Sequence, residues 1–213
     1  MQAVHRTVAT LVAALALALP LAAAAAGESA SDLTAQAMHE CVAGQDTGPR
    51  DARKGHFERG EALAAKAVAL DDTSAPAHFA VVCNLGELLR LDGEKITSVF
   101  GLHRLMGEVN RTLELDPTHV NAMATKGNLL LRLPSVLGGD AKEGERLLRE
   151  VVRRDENALT SRIALARTCE ARGDRTEALE FASRALQIAT EQGRADKAAE
   201  AQSTLAELGA TKP

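Results

Sequence analysis

Along most of the chain, apolar residues recur at every third or fourth position and are interrupted only by short polar stretches. The pattern is clearest over residues 175–191, where Ala178, Phe181, Ala182, Ala185, Leu186 and Ala189 fall on one face and Glu177, Glu180, Arg184 and Gln187 fill the other. That period is a helix with one buried side. Three segments, VALDDTSAPAHFAVV, LELDPTHVNAMATKGNLLL and RRDENALTSRIALAR, each close one helix at an aspartate, turn through a few polar residues and begin another. These junctions centre on Asp71, Asp116 and Asp155. A second kind of turn stands between them, at Asp92-Gly93, Gly139-Asp140 and Gly173-Asp174. The pattern predicts an all-α chain, an α-α superhelix built from antiparallel helical hairpins.

The spacing of the turns carries more detail. Gly139 and Gly173 are 34 residues apart, whereas the junctions are separated by 45 residues (Asp71 to Asp116) and 39 residues (Asp116 to Asp155). The first excess divides into about 4 and 7 residues on either side of Gly93, close to one and two whole helical turns, so it predicts a longer hairpin rather than a longer loop. The second falls on Leu133-Pro134-Ser135-Val136-Leu137-Gly138-Gly139, which cannot continue a helix and predicts a loop. Asp140 with Glu143, and Asp174 with Glu177, have the spacing of a capping aspartate and a glutamate that reaches back. Asp116-Pro117 reads as a further helix start. Gly60, Gly144 and Ala178 are small residues at equivalent places in second helices, where a larger side chain would hold neighbouring helices apart.

The segment RGDRTEALEFASRALQIA resembles the second half of a tetratricopeptide repeat, and the LELDP junction and Gly127 extend the likeness over roughly residues 50 to 192. His78, Met123 and Arg162 stand where that pattern favours a bulky aromatic, and the chain has neither Trp nor Tyr. More narrowly, the long central hairpin, the LELDP segment and the Gly-Gly loop resemble the periplasmic T-component of TRAP transporters and the tetratricopeptide proteins of the regulator-of-microtubule-dynamics type. The broader resemblance implies a non-catalytic scaffold for a protein or peptide partner. The narrower one implies an accessory protein of small-solute uptake that works as an oligomer.

Residues 1–26 join a short basic start to an apolar run from Val8 to Ala26, the form of a signal peptide ending in a small-residue cleavage site. A membrane anchor is the rival reading of that run. With no cysteine near the cleavage point there is no lipobox, since the first is Cys41, and the expected location is periplasmic or secreted. The rest divides into an N-terminal helix and loop at 27–49, the repeat array at 50–192, and a C-terminal capping helix and tail at 193–213. A net charge of −4 without a basic cluster argues against nucleic acid as a partner. Of three cysteines, Cys41, Cys83 and Cys169, one pair can bridge, and Cys41 with Cys83 is the pairing chosen; alternatively all three serve as buried thiols.

Catalytic and cofactor motifs are absent from the sequence. His39, Glu40 and Cys41 are too close along one helix to converge on a metal, and Gly138-Gly139-Asp140 reads as a helix cap rather than an anion site. Catalytic residues, cofactors and metals are therefore not expected. In stacked hairpins the first helix of each unit lines the concave side. There the repeat frame places Phe79, Cys83, Glu87, Asn121, Asn128, Arg132, Arg167 and Glu170, of which Asn128, Arg132 and Arg167 offer donors to an extended peptide or a carboxylate.

Overall fold

The computed structural model describes residues 28–93 and 97–210, so the leader read at 1–26 lies outside the described residues. Nine α-helices follow one another among them: α1 (Ala30–Asp46), α2 (Arg50–Leu70), α3 (Ala75–Asp92), α4 (Thr97–Leu115), α5 (Val120–Arg132), α6 (Ala141–Arg154), α7 (Leu159–Ala171), α8 (Arg175–Glu191) and α9 (Ala195–Ala210). Among the described residues there is no strand. Each helix packs against the next, and α1 also meets α3, α5 meets α7 and α7 meets α9. The odd-numbered helices thus form an inner layer, backed by the even-numbered ones. The stack begins upstream of residue 50, because α1 and α2 form its first hairpin.

The junction aspartates do two jobs each. The backbone N–H groups of Asp71, Asp116 and Asp155 donate to Ala67, Thr112 and Val151 and close the preceding helices. Their Oδ1 atoms then accept from the N–H two residues on, at Thr73 (3.0 Å), Thr118 (2.9 Å) and Asn157 (2.8 Å), which turns the chain. The helix start expected at Asp116-Pro117 is accordingly displaced. Asp116 is committed to the N–H and hydroxyl of Thr118, and α5 begins at Val120 with His119 Nδ1 accepting from Ala122 N–H at 3.2 Å. Asp140 and Asp174 cap α6 and α8 through the N–H groups of Glu143 and Glu177. Neither glutamate reaches back: Glu143 pairs with Arg146, and Glu177 turns to Arg149 and Arg172. A guanidinium is a stronger partner for a carboxylate than one more backbone donor.

The lengths match the spacing argument. Helices α3 and α4 have 18 and 19 residues, against 13 in α5, 14 in α6 and 13 in α7. The expected loop is present after α5, with one 3₁₀ turn at Ser135–Leu137. Gly138 adopts φ 89°, and a Cβ on Gly139 would lie 1.8 Å from the Leu133 carbonyl oxygen, so both glycines are needed for the chain to fold back.

Small residues set how closely the helices approach. A Cβ on Gly60 in α2 would lie 2.1 Å from Oδ1 of Asn84 in α3, a fully buried side chain whose Nδ2 donates to the carbonyls of Ala37 and Ala80. In α5 and α6 a Cβ on Gly144 would meet the Gly127 carbonyl oxygen at 2.8 Å, and one on Gly127 the Gly144 oxygen at 3.1 Å. Around these crossings pack Phe57, Val81, Val109, Leu148, Val151, Ile163, Leu165 and Ile188, all at most 2% exposed. The last face is covered by α9, whose Ala201 and Leu208 join clusters that hold Leu159, Ile163, Ala166, Cys169, Ala182 and Ile188.

Two departures from the tetratricopeptide pattern have a physical account. Arg162, 8% exposed, donates to the carbonyls of Val152 and Asp155 at the end of α6, where a cation complements the helix dipole, and to that of Ala158 at the start of α7. His78, 4% exposed, places Nδ1 2.6 Å from Glu108 Oε2 and Nε2 3.1 Å from the Asp72 carbonyl oxygen. At both sites a hydrogen-bonding side chain fastens one hairpin to the junction before it. Between α6, α7 and α8, Arg149 donates to Glu145 (2.8 Å) and Glu177 (2.5 Å), and Arg172 joins both carboxylates. Hydrogen bonds from Arg149 hold Glu177 down to about 2, while burial pushes the adjacent Cys169 thiol up to about 11.

This packing sets the sign of two substitutions. Gly60→Ala should lower stability by about 1–3 kcal/mol through overpacking, whereas Gly107→Ala, within α4 and with nothing within 4 Å of its Cβ, should raise it by about 0.5–1 kcal/mol; urea midpoints of the two variants should move in opposite directions. Because the folded pKa of Glu177 is depressed, its contribution is complete above the unfolded value of 4.5 and is lost as pH falls toward about 2. Glu177→Gln should flatten the fall in thermal midpoint over that acid range relative to the parent chain.

Candidate functional site

A cleft of about 690 Å³ runs along the inner layer and touches both halves of the stack. Helix α3 supplies one continuous wall, Phe79, Val82, Cys83, Gly86, Glu87 and Arg90, at the three- and four-residue spacing that puts them on a single face. Met38, Val42 and Gln45 of α1 extend this wall, and Val120, Asn121, Ala124, Asn128, Leu129 and Arg132 of α5 face it. The far end is formed by residues 155–161 and by Gln192, Arg194 and Lys197 at the turn into α9. The lining mixes aliphatic and polar side chains, and the Phe79 ring lies 4.5 Å from the His119 ring, tilted at 40°.

The residues singled out from the sequence separate into two groups. Phe79, Asn121, Asn128 and Arg132 line the cleft together with Cys83 and Glu87; Arg167 and Glu170 do not. Helix α9 accounts for Arg167, which reaches across to Glu200 at 3.2 Å and serves to dock the capping helix. Asn128 lines the cleft with its Nδ2 already donating to the Ala124 carbonyl at 2.8 Å, which leaves the amide oxygen as its outward group. The α1 residues and the Gln192–Lys197 turn were not anticipated, since the repeat frame was begun after α1 and stopped at residue 192.

Charge is distributed unevenly in the cleft. Both acids are engaged: Glu87 accepts from Gln45 at 3.0 Å and pairs with Arg90, and Asp155 shapes its own turn through Asn157. Arg194 and Lys197 are paired with Asp196 and Glu200. Arg132 is exposed and has no partner among the described residues, and neither has the side chain of Asn121. An uncommitted guanidinium beside an amide, above aliphatic side chains, suits an extended segment that carries a carboxylate.

Cys41 and Cys83 are joined by a disulfide that ties α1 to α3, while Cys169 is free and buried. Cys41 is therefore not available to a metal, and among the described residues no group of three or more His, Cys, Asp or Glu side chains is placed to hold one. A second cleft of about 520 Å³ lies between α4, the other face of α5 and the Pro/Gly loop, lined by Leu102, Met106, Leu130, Leu133, Val136 and Leu137 among others.

No family model matches this chain, and no curated protein matches it. Among solved structures it is similar to TTC0263, a thermophilic TPR (tetratricopeptide repeat) protein of Thermus thermophilus, with a TM-score of 0.54, 16% identity, and coverage of 83% of this chain and 99% of that one. It also aligns with a MamA RS-1 double mutant (TM-score 0.46, 16% identity, 82% and 94% covered) and with YrrB, a TPR protein with an unusual peptide-binding site (TM-score 0.37, 19% identity, 70% and 84% covered). At that identity the first of these likenesses establishes the fold.

Proposed function

We propose that this chain, which has the tetratricopeptide fold, is an exported, non-catalytic scaffold whose inner cleft binds an extended segment of a protein partner. The observation that carries the reading is the cleft itself, with its aliphatic side chains and with Arg132 and Asn121, which have no side-chain partner among the described residues. Of the four cationic side chains that line it, Arg90, Arg194 and Lys197 are paired with Glu87, Asp196 and Glu200, so the guanidinium of Arg132 is the one placed to meet a carboxylate of the segment. Both acidic side chains are engaged within the protein, Glu87 with Gln45 and Asp155 with its own turn, which supports a binding role for the cleft.

Export is supported by the leader pattern at 1–26 and by the Cys41–Cys83 disulfide, a bond that persists in oxidising compartments. Cleavage after Ala26 would leave Gly27 as the first residue, and Edman sequencing of the protein recovered from the cell envelope or medium should read Gly-Glu-Ser. Recovery of the intact Met1 terminus from the cytoplasm would remove the export reading.

The binding reading can be tested with an array of extended peptides of varied charge. Acidic peptides should be selected, and Arg132→Glu should weaken the best of them by roughly ten-fold or more. Phe79→Ala should weaken the same peptides by removing the aromatic face from the wall. Were both variants to bind every selected peptide as the parent does, the cleft would not be the binding site.

A further inference from the structure

The disulfide belongs to the wall of the cleft, and its two sulfurs have different surroundings. Cys41 is fully buried, whereas Cys83 is partly exposed and stands on the cleft face of α3. One turn further along that face is Gly86, where an added Cβ would have no neighbour closer than 3.8 Å. Gly86 lines the cleft beside Cys83 and carries no side chain of its own to stand over it. On the other side the nearest donor to the Cys41 sulfur is Gln45 Nε2, 3.9 Å away.

The bond also has a defined mechanical role. Helix α1 is the terminal member of the inner layer, packed against α2 and α3 and with no described helix on its other side. Besides apolar packing it is held to α3 by the Asn84 bond to the Ala37 carbonyl, by Gln45 to Glu87, and by the disulfide. These three ties set how Met38, Val42 and Gln45 stand relative to α3, while Glu40 with His56 and Arg59 holds α1 to α2.

We propose that Cys83 is a thiol-exchange site within the cleft, through which a dithiol reductant opens the Cys41–Cys83 bond and loosens α1 from the cleft wall. This rests on the reading of the cleft as the binding surface and adds a redox control to it. The attacking thiolate forms a bond to Cys83 Sγ as the Cys83–Cys41 bond breaks, and Cys41 departs as a thiolate that takes a proton from solvent. The second sulfur of the dithiol then displaces Cys83, so two electrons pass to the protein and the reductant becomes a cyclic disulfide. Access selects which sulfur is attacked, and here Cys83 is the partly exposed partner while Cys41 is fully buried. An occupant lying over Phe79 and Glu87 would cover the same sulfur.

The test needs no partner molecule. Native oxidised protein is treated with reduced glutathione, quenched in acid, alkylated and mapped by mass spectrometry. Glutathione is expected on Cys83, with Cys41 recovered as the alkylated thiol. Adducts on Cys41, or exchange only after denaturation, would overturn the proposal. Fully reduced protein is then compared with oxidised protein by hydrogen–deuterium exchange. Amides of α1 should exchange roughly ten-fold faster on reduction while those of α7 and α8 keep their rates. Unchanged rates in α1, or loss of protection throughout the chain, would mark the bond as a plain structural staple and overturn it as well. Since no peptide is present, these outcomes are independent of the Arg132→Glu result.

Discussion

The fold depends on close approach of helix backbones at a few small residues. At the crossing of α5 and α6, Gly127 and Gly144 face each other so closely that a Cβ on either would press on the other's carbonyl oxygen. At the crossing of α2 and α3 the space that Gly60 vacates is taken by Asn84, which ties α3 to the backbone of α1. Without these approaches the apolar stripes of neighbouring helices could not interdigitate at close-packed density. The side chains used are mostly alanine, leucine and valine, and with neither Trp nor Tyr in the chain, large rings come only from four phenylalanines. A core of this kind gains its stability from tightness rather than from large rings.

Much of the architecture was legible in the sequence because helical period, turn residues and repeat spacing are local signals. The longer α3–α4 hairpin follows from counting, and the loop after α5 from Pro134, Gly138 and Gly139, which cannot continue a helix. What was misread depended on contacts that spacing does not encode. Asp116-Pro117 has the composition of a helix start, yet Thr118 draws the aspartate into the turn and passes the capping role to His119. Glu177 has capping-box spacing, but Arg149 lies 28 positions earlier and outcompetes the backbone.

The cleft was legible only in part for the same reason. Residues of α3 and α5 share a face at fixed spacing, so Phe79, Asn121, Asn128 and Arg132 could be placed. Arg167 satisfies that spacing equally well. Its removal from the cleft is caused by Glu200 on α9, which no periodicity in α7 encodes. Likewise the part played by α1 arises from a first hairpin whose sequence is weak in repeat signals but whose packing is as close as any, with Gly44 set against the ring of Phe57.

The packing between hairpins is uneven along the stack. Helix α3 rests broadly on α2, and α9 on α8, but α5 and α6 adjoin α4 and α7 over much smaller areas of contact. A layered rod yields where adjacent layers share least surface. The middle hairpin, which carries Asn121, Asn128 and Arg132, therefore sits between the two narrowest seams described in the stack. The two walls of the cleft, α3 and α5, thus belong to neighbouring hairpins that share little surface, and what spans the cleft would bridge the thinnest seam of the stack.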